Sequence, residues 1–220
     1  MKVIIFGASG MVGQGVLREC LADPDVERVL CVGRSSIGQQ HPKLREIVIP
    51  NLFELESIAP DLAGYDACFY CLGVSSAGMS EQNYAHITFD LTMVVAGTLL
   101  QRNSAMTFIY VSGMNTDSTE RGRSMWARVK GRTENALLRH PFKATYMFRP
   151  GAIIPMHGIK SKTGWYNALY AVTKPLFPLM RKFFPGSVTT TEQVGRAMLA
   201  VAKRGYPKPI LESSDIVGIK

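Results

Sequence analysis

Acidic residues are in short supply in this chain. Its 220 residues carry 17 Asp and Glu against 25 Lys and Arg, for a formal net charge of +8, and only 19% are charged at all. With 46% hydrophobic residues, such a chain can fill an interior, which excludes intrinsic disorder. The positive balance suits an anionic ligand or a negatively charged surface. The basic residues are scattered, however, and the helix-turn-helix, zinc-finger and aromatic RNA-binding signatures are missing, so no nucleic acid is expected as a partner. Long apolar runs are missing too. The most apolar late stretch, 165–184, is interrupted by Lys174, Pro175 and Pro178, and falls short of the roughly 20 uninterrupted residues of a membrane helix. No charged leader precedes the first strand pattern, and a cytoplasmic location is expected.

Cysteine and histidine are equally sparse. Cys20, Cys31, Cys68 and Cys71 are the only cysteines. Cys68 and Cys71 match C-x-x-C, but they sit in an apolar strand pattern, where positions three apart point to opposite faces. No second pair lies at zinc spacing, so buried structural thiols are expected and no metal. His41, His86, His140 and His157 show no H-x-x-x-H spacing and are expected to be solvated or hydrogen-bonded.

What the chain does have is alternation. Short β-rich runs at 2–6, 28–32, 46–49, 67–72, 106–111 and 144–148 are separated by segments of helical periodicity, the longest at 81–102 and 124–139. Unbroken apolar strands spaced by helices predict a doubly wound parallel sheet, a Rossmann fold of strand order 3-2-1-4-5-6, with ligands at the carboxyl ends of the strands. The length fits one domain, 1–220. After Gly151 the pattern weakens. Four prolines divide the segment before Thr189-Thr-Thr-Glu192, which reads as a capping box for a late helix, and a last short strand is expected near 209–211. Residues 151–220 therefore read as a small lobe that covers the substrate side.

The sharpest motif directly follows the first strand. Gly7-Ala-Ser9-Gly10-Met11-Val12-Gly13 opens the first helix. Gly7 can make the tight turn, Gly10 lets a pyrophosphate approach the backbone, and Gly13 allows close packing of helix on strand. The helix N-terminus offers unpaired N–H groups to the phosphates. The second strand then ends Val32-Gly33-Arg34-Ser35-Ser36, with none of the acidic residues that would hold the 2′-hydroxyl of NAD. Arg34 can pair with a 2′-phosphate and Ser35 can donate to it, so NADP(H) is preferred, with NAD(H) as the alternative. Cys71-Leu72-Gly73 ends the fourth strand at the switch point, and Pro150-Gly151-Ala152-Ile153 follows the sixth, where it would line the nicotinamide end.

With Gly33-Arg34, Val111-Ser112, Val129-Lys130-Gly131 and Glu134, Phe148-Arg149-Pro150-Gly151 and Arg196-Ala-Met-Leu199, these motifs resemble the short-chain dehydrogenase/reductase superfamily. The similarity is to its atypical, epimerase-like branch, that of the Tat-interacting reductases, and it runs over nearly the whole chain. The resemblance implies a Ser, Tyr and Lys chemistry. The lysine holds the nicotinamide ribose and lowers the tyrosine's pKa, the tyrosine exchanges a proton with the substrate oxygen, and the serine hydrogen-bonds that oxygen. Ser112 and Lys130 match. The tyrosine position is Trp126, whose indole is a donor only and does not titrate.

The implied activity is an NAD(P)-dependent oxidoreductase or epimerase acting on a small-molecule carbonyl substrate, with Ser112, Lys130 and Trp126 at the reacting end. The alternative is an NADP(H)-binding sensor without turnover. Tyr84, His86, His157 and Tyr166 are the other candidate proton sources. The apolar stretch 165–184 is expected to be a lid over a pocket that accepts a hydrophobic substrate. Its second reading is weak peripheral contact with an anionic membrane. Both a monomer and a homodimer are compatible with the long helices.

Overall fold

Lys2–Phe6 (β1) is buried on both faces, and its side chains alternate between two separate cores. Val3 and Ile5 enter one, Ile4 and Phe6 the other. The same period of two runs through Arg28–Gly33 (β2), Ala67–Tyr70 (β4) and Thr107–Val111 (β5), so each strand serves both faces of the sheet. In the computed structural model, which describes residues 1–159 and 186–219, Leu44–Val48 (β3), Ala144–Arg149 (β6) and Ile210–Glu212 (β9) complete a seven-stranded sheet of order β3-β2-β1-β4-β5-β6-β9. Every pairing is parallel. The expected order 3-2-1-4-5-6 is present, extended at one edge by β9.

Helices cover both faces. Met11–Ala22 (α1) and Thr191–Arg204 (α5) lie over one, through Val16, Leu17 and Cys20 and through Val194, Ala197 and Met198. The other face carries a 3-10 helix over Leu55–Leu62, and Leu91–Arg102 (α3) and Met125–Leu138 (α4). The expected helix over 81–102 is continuous but not uniform. Glu81–Ala85 (α2) passes through a wider π turn, His86–Asp90, before α3 begins. Such turns shift the faces on either side of them.

Of the C-terminal tail, Ala152–Ile154 (β7) pairs with Val188–Thr190 (β8), α5 covers the sheet, and β9 leads into Ser213–Gly218 (α6). The capping box lies one residue later than expected. Thr190 accepts from the Gln193 N–H while the Gln193 side chain accepts from the Thr190 N–H. Thr189 is instead the middle residue of β8, where its backbone is engaged in the pairing. The expectations of a lid or membrane contact at 165–184, and of Tyr166 as a proton source, lie outside the described residues. No described helix is long and apolar enough to cross a membrane.

Candidate active site

The carboxyl ends of β1, β2 and β4 meet at the glycine turn. Gly7 has a φ of +84°, and a Cβ there would lie 2.7 Å from the Cys71 carbonyl carbon, so only glycine fits. The Gly10 N–H closes the turn on the Gly7 carbonyl at 2.9 Å. Gly10 then caps α1 with no side-chain cap, and the first turn holds no acidic residue. The N–H groups of Met11, Val12 and Gly13 belong to the first turn of α1, where the helix itself supplies no i−4 acceptor. A Cβ on Gly13 would stand 2.1 Å from the Gly7 oxygen, which is how closely the helix is pressed onto the strand end. Ser9 is half-buried in the turn, and its carbonyl accepts from Gln14 at 3.2 Å.

Two of the cavities around this turn reach Leu72, just past β4. The smaller, about 90 Å³, is bounded by Gly7, Ala8, Ser9, Gly33, Arg34, Ser35 and Leu72. The larger, about 230 Å³, lies between the end of β4 and the π turn. Leu72 and Gly73 form one wall, and Ile87, Thr88, Leu91 and Thr92 the other, with Asn51, Leu52 and Phe53 between them. Phe53 is stacked on His86 at 4.7 Å between ring centroids, and His86 is paired with Asp90 at 3.0 Å. Arg34 lines both cavities and is exposed. Asn51, Phe53 and Thr88 were not singled out from the sequence. They come together only because the loop after β3 meets the π turn.

The smaller cavity also holds an acid. Glu46 projects into it from β3, opposite Cys31 of β2, and accepts from Ser36 Oγ at 2.6 Å and from the Ile37 N–H at 2.9 Å. The end of β2 itself lacks an acidic residue, as the sequence shows. The neighbouring strand supplies one, and a reading confined to the end of β2 passes over it.

At the third location, Ser112 directly follows β5, Trp126 and Lys130 sit one turn apart on α4, and Lys130 is the one of the two that meets Ser112. Their side chains do not all face a substrate. The Ser112 hydroxyl lies against Glu134 and is 3.1 Å from the Phe148 carbonyl, and the residue is buried. Glu134 has no solvent exposure and is bridged by Arg149, which also reaches Glu212 at 3.0 Å and Ser118. Lys130 donates to the Ser112 carbonyl. Burial pulls its ammonium pKa down to about 8, with Glu134 opposing the shift. Trp126 is half-buried.

The remaining expectations sort simply. Pro150 is buried and its carbonyl accepts from the Met114 N–H at 2.9 Å, beside Ser112. A Cβ on Gly151 would lie 2.2 Å from the Ser187 oxygen, so this glycine serves the β7–β8 contact. Ala152 is exposed and Ile153 buried, and neither lines the two cavities. Tyr84 is buried, which raises its pKa, and it lines neither of the two cavities. His157 is paired with Glu192 at 2.9 Å. All four cysteines are free, and among the described residues no cluster could hold a metal.

No protein-family model matches the chain. It superposes on a short-chain dehydrogenase/reductase-family oxidoreductase of Burkholderia thailandensis with a TM-score of 0.68 at 18% identity, over 99% of this chain and 92% of that one. The chain has the fold of a short-chain dehydrogenase/reductase. The enzyme WbmF of Bordetella bronchiseptica, solved in complex with NAD+, gives a TM-score of 0.70 at 16% identity, over 98% of this chain and 76% of that one.

In sequence the chain is similar to protein HTATIP2 of Rattus norvegicus, 24% identical over 155 residues, which are 70% of this chain and 63% of that protein. It thus spans less than two thirds of that relative. This likeness agrees with the branch expected from the motifs. The chain is also 26% identical over 223 residues to protein FMP52, mitochondrial, of Eremothecium gossypii, covering 100% of this chain and 97% of that protein. The mitochondrial naming of this and further FMP52 relatives overturns the expected cytoplasmic location. That expectation rested on the strand pattern of residues 2–6 and on the interruptions of the apolar stretch 165–184, and neither observation specifies a compartment.

Proposed function

We propose that this chain binds a nicotinamide dinucleotide across the carboxyl edge of its sheet, NADP(H) in preference to NAD(H). In this reading it is an oxidoreductase or epimerase-like enzyme of a small or hydrophobic carbonyl compound. The observation that carries the reading is the turn between β1 and α1. Its glycines leave a concave backbone in which a Cβ at Gly7 or Gly13 would strike main chain, and it opens directly into the N-terminus of α1, with no acidic residue in the first turn. Those are the features that a diphosphate requires, so the residues fit the group. The complex of WbmF with NAD+ supports a nicotinamide cofactor. When bound, such a cofactor supplies hydride transfer. The smaller cavity then takes the adenosine ribose and the larger the base, with Leu72 and Gly73 against them, Asn51 and Thr88 as polar contacts, and Lys130 toward the nicotinamide ribose. A mitochondrial setting goes with this reading, after the names of the FMP52 relatives.

Arg34 is the group assigned to the 2′-phosphate, and Ser35 assists it. Calorimetry of Arg34→Ala should show NADPH binding weakened by roughly tenfold or more, the worth of one charge-assisted contact, and NADH binding by less than about twofold. Equal losses for the two nucleotides would contradict the preference.

Trp126 and the inward-turned Ser112 favour a second reading, an NADP(H)-binding regulatory protein without turnover. Neither side chain offers the substrate oxygen what carbonyl reduction needs. Lys130 keeps turnover within reach, because an ammonium that ionises at about 8 can release a proton near neutral pH. NADPH consumption over a panel of carbonyl compounds, compared between the native chain and Trp126→Tyr, separates the two. Native turnover that falls as pH rises through about 8, where the ammonium is lost, supports the enzyme. Turnover that appears only in the variant supports the regulatory protein.

A further inference from the structure

The cavity assigned to the adenosine ribose contains two opposite charges that do not pair with each other. Arg34 and Glu46 both line it, and among the described residues neither has an ion-pair partner. Glu46 is instead held by two donors, the Ser36 hydroxyl at 2.6 Å and the Ile37 N–H at 2.9 Å, while the Gly38 N–H donates in turn to Ser36 Oγ at 3.0 Å. The carboxylate thus anchors the loop that carries Arg34 and Ser35, and Glu46 also lines the cavity.

A 2′-phosphate and a 2′-hydroxyl would meet this pair differently. The phosphate, close to dianionic at neutral pH, is attracted by Arg34 and repelled by Glu46. The hydroxyl is a donor that a carboxylate can accept. Discrimination is a difference of two affinities, so an acid opposing the cation lowers it.

We propose that Glu46 is a specificity-determining residue of the dinucleotide site, one that limits the preference for NADP(H) and retains NAD(H) as a ligand. The proposal rests on the dinucleotide reading given above. It assigns the acidic function to the middle of β3, where the fold places it beside β2, and not to the end of β2. The Ser36 and Ile37 donors spread the carboxylate's charge, which is what lets a phosphate enter at all.

Glu46→Gln tests this with little risk to the fold, because the amide oxygen still accepts from the Ile37 N–H. Calorimetry with NADPH and NADH at low salt is the measurement. The expected result is NADPH bound roughly fivefold to tenfold tighter and NADH unchanged or weaker. The gain should shrink in about 0.5 M salt, where the screening length falls to a few ångströms. A loop anchor alone would move both nucleotides together and would be indifferent to salt.

Ser36→Ala, at an exposed position, is the companion variant. By uncovering one carboxylate oxygen it should weaken NADPH severalfold and spare NADH. Parallel changes for the two nucleotides in either variant overturn the assignment of Glu46. A native chain that binds neither nucleotide removes the underlying dinucleotide reading instead.

Discussion

Gly13→Ala should reduce dinucleotide affinity by about a hundredfold or more and lower the melting temperature by roughly 5–10 °C. The added Cβ would lie 2.1 Å from the Gly7 oxygen, 2.7 Å from the Gly7 carbonyl carbon and 2.8 Å from Ala8 Cα. All three are backbone atoms of a turn that is itself wedged against the end of β4, so no side chain can rotate away. Either α1 backs off or the turn deforms. Overpacking of this kind costs about 1–3 kcal/mol, occasionally more, and in a chain of this length each kcal/mol is worth about 2–4 °C.

The same displacement moves the α1 N–H groups off the diphosphate. Loss of two charge-assisted hydrogen bonds, at about 1.5–3 kcal/mol each, accounts for the hundredfold. Gly10→Ala is the informative control. Its Cβ would be 3.3 Å from the Gly7 oxygen, a contact that a small shift relieves. It should leave the melting temperature within a few degrees and still weaken binding, because it fills the path of the phosphates. A Gly13→Ala chain that titrates like the native one would remove the assigned role of this turn.

Arg149→Met is the second large effect and acts on stability. Glu134 is fully buried, and Arg149 meets both its oxygens, at 3.1 and 3.2 Å from Nε and again through Nη2. Removal of the guanidinium strands a carboxylate in the interior, which costs about 3–5 kcal/mol in comparable buried pairs. Ser118 and Glu212 lose their bonds as well, although the half-exposed Glu212 can recover water.

The double variant Arg149→Met with Glu134→Leu should regain a large part of the loss, because a buried ion pair replaced as a unit by apolar groups is often near neutral. Urea unfolding of the three chains measures this directly. A single variant within about 1 kcal/mol of native would show that the pair is dispensable. The network also holds Ser112 and Lys130, since Ser112 rests on Glu134 and Lys130 on the Ser112 carbonyl. Arg149→Met should therefore loosen Ser112 in whatever chemistry the site performs.

Much of this was legible in the sequence because it depends on neighbours along the chain. Burial on both faces writes itself as unbroken apolar runs, and β1 and β5 are read from them almost to the residue. The glycine turn is legible for the same reason, since a positive φ at Gly7 and a close approach at Gly13 admit no other residue. The boundaries read less well. The capping box is off by one because Thr189, Thr190 and Thr191 all have the right chemistry, and only the end of the β7–β8 pairing selects Thr190. The helix over 81–102 carries no mark of its π turn, because the shift answers to what packs around Thr88 and Leu91.

The site divides along the same line. Gly10, Arg34, Gly73 and Ser112 lie at or just past the ends of elements, and that much follows from spacing alone. What each side chain meets is a matter of which segments the sheet lays side by side. Glu46 faces the cavity because β3 pairs with β2, and Ser112 turns inward because Glu134, 22 residues later, presents a buried acceptor. The cytoplasmic expectation had no such support and did not survive the mitochondrial relatives.

By itself the sequence determined the order of strands and helices, the glycine turn that opens the first helix, and the presence of an indole, not a titrating phenol, four residues before Lys130. These follow from backbone sterics and from the chemistry of single side chains. Only the tertiary structure decided that a carboxylate from β3 shares a cavity with Arg34, that the Ser112 hydroxyl is spent on Glu134, and that Lys130 is desolvated enough to ionise at about 8. The energies of charges and hydrogen bonds depend on distance and burial, and both are set by packing between segments far apart in the chain.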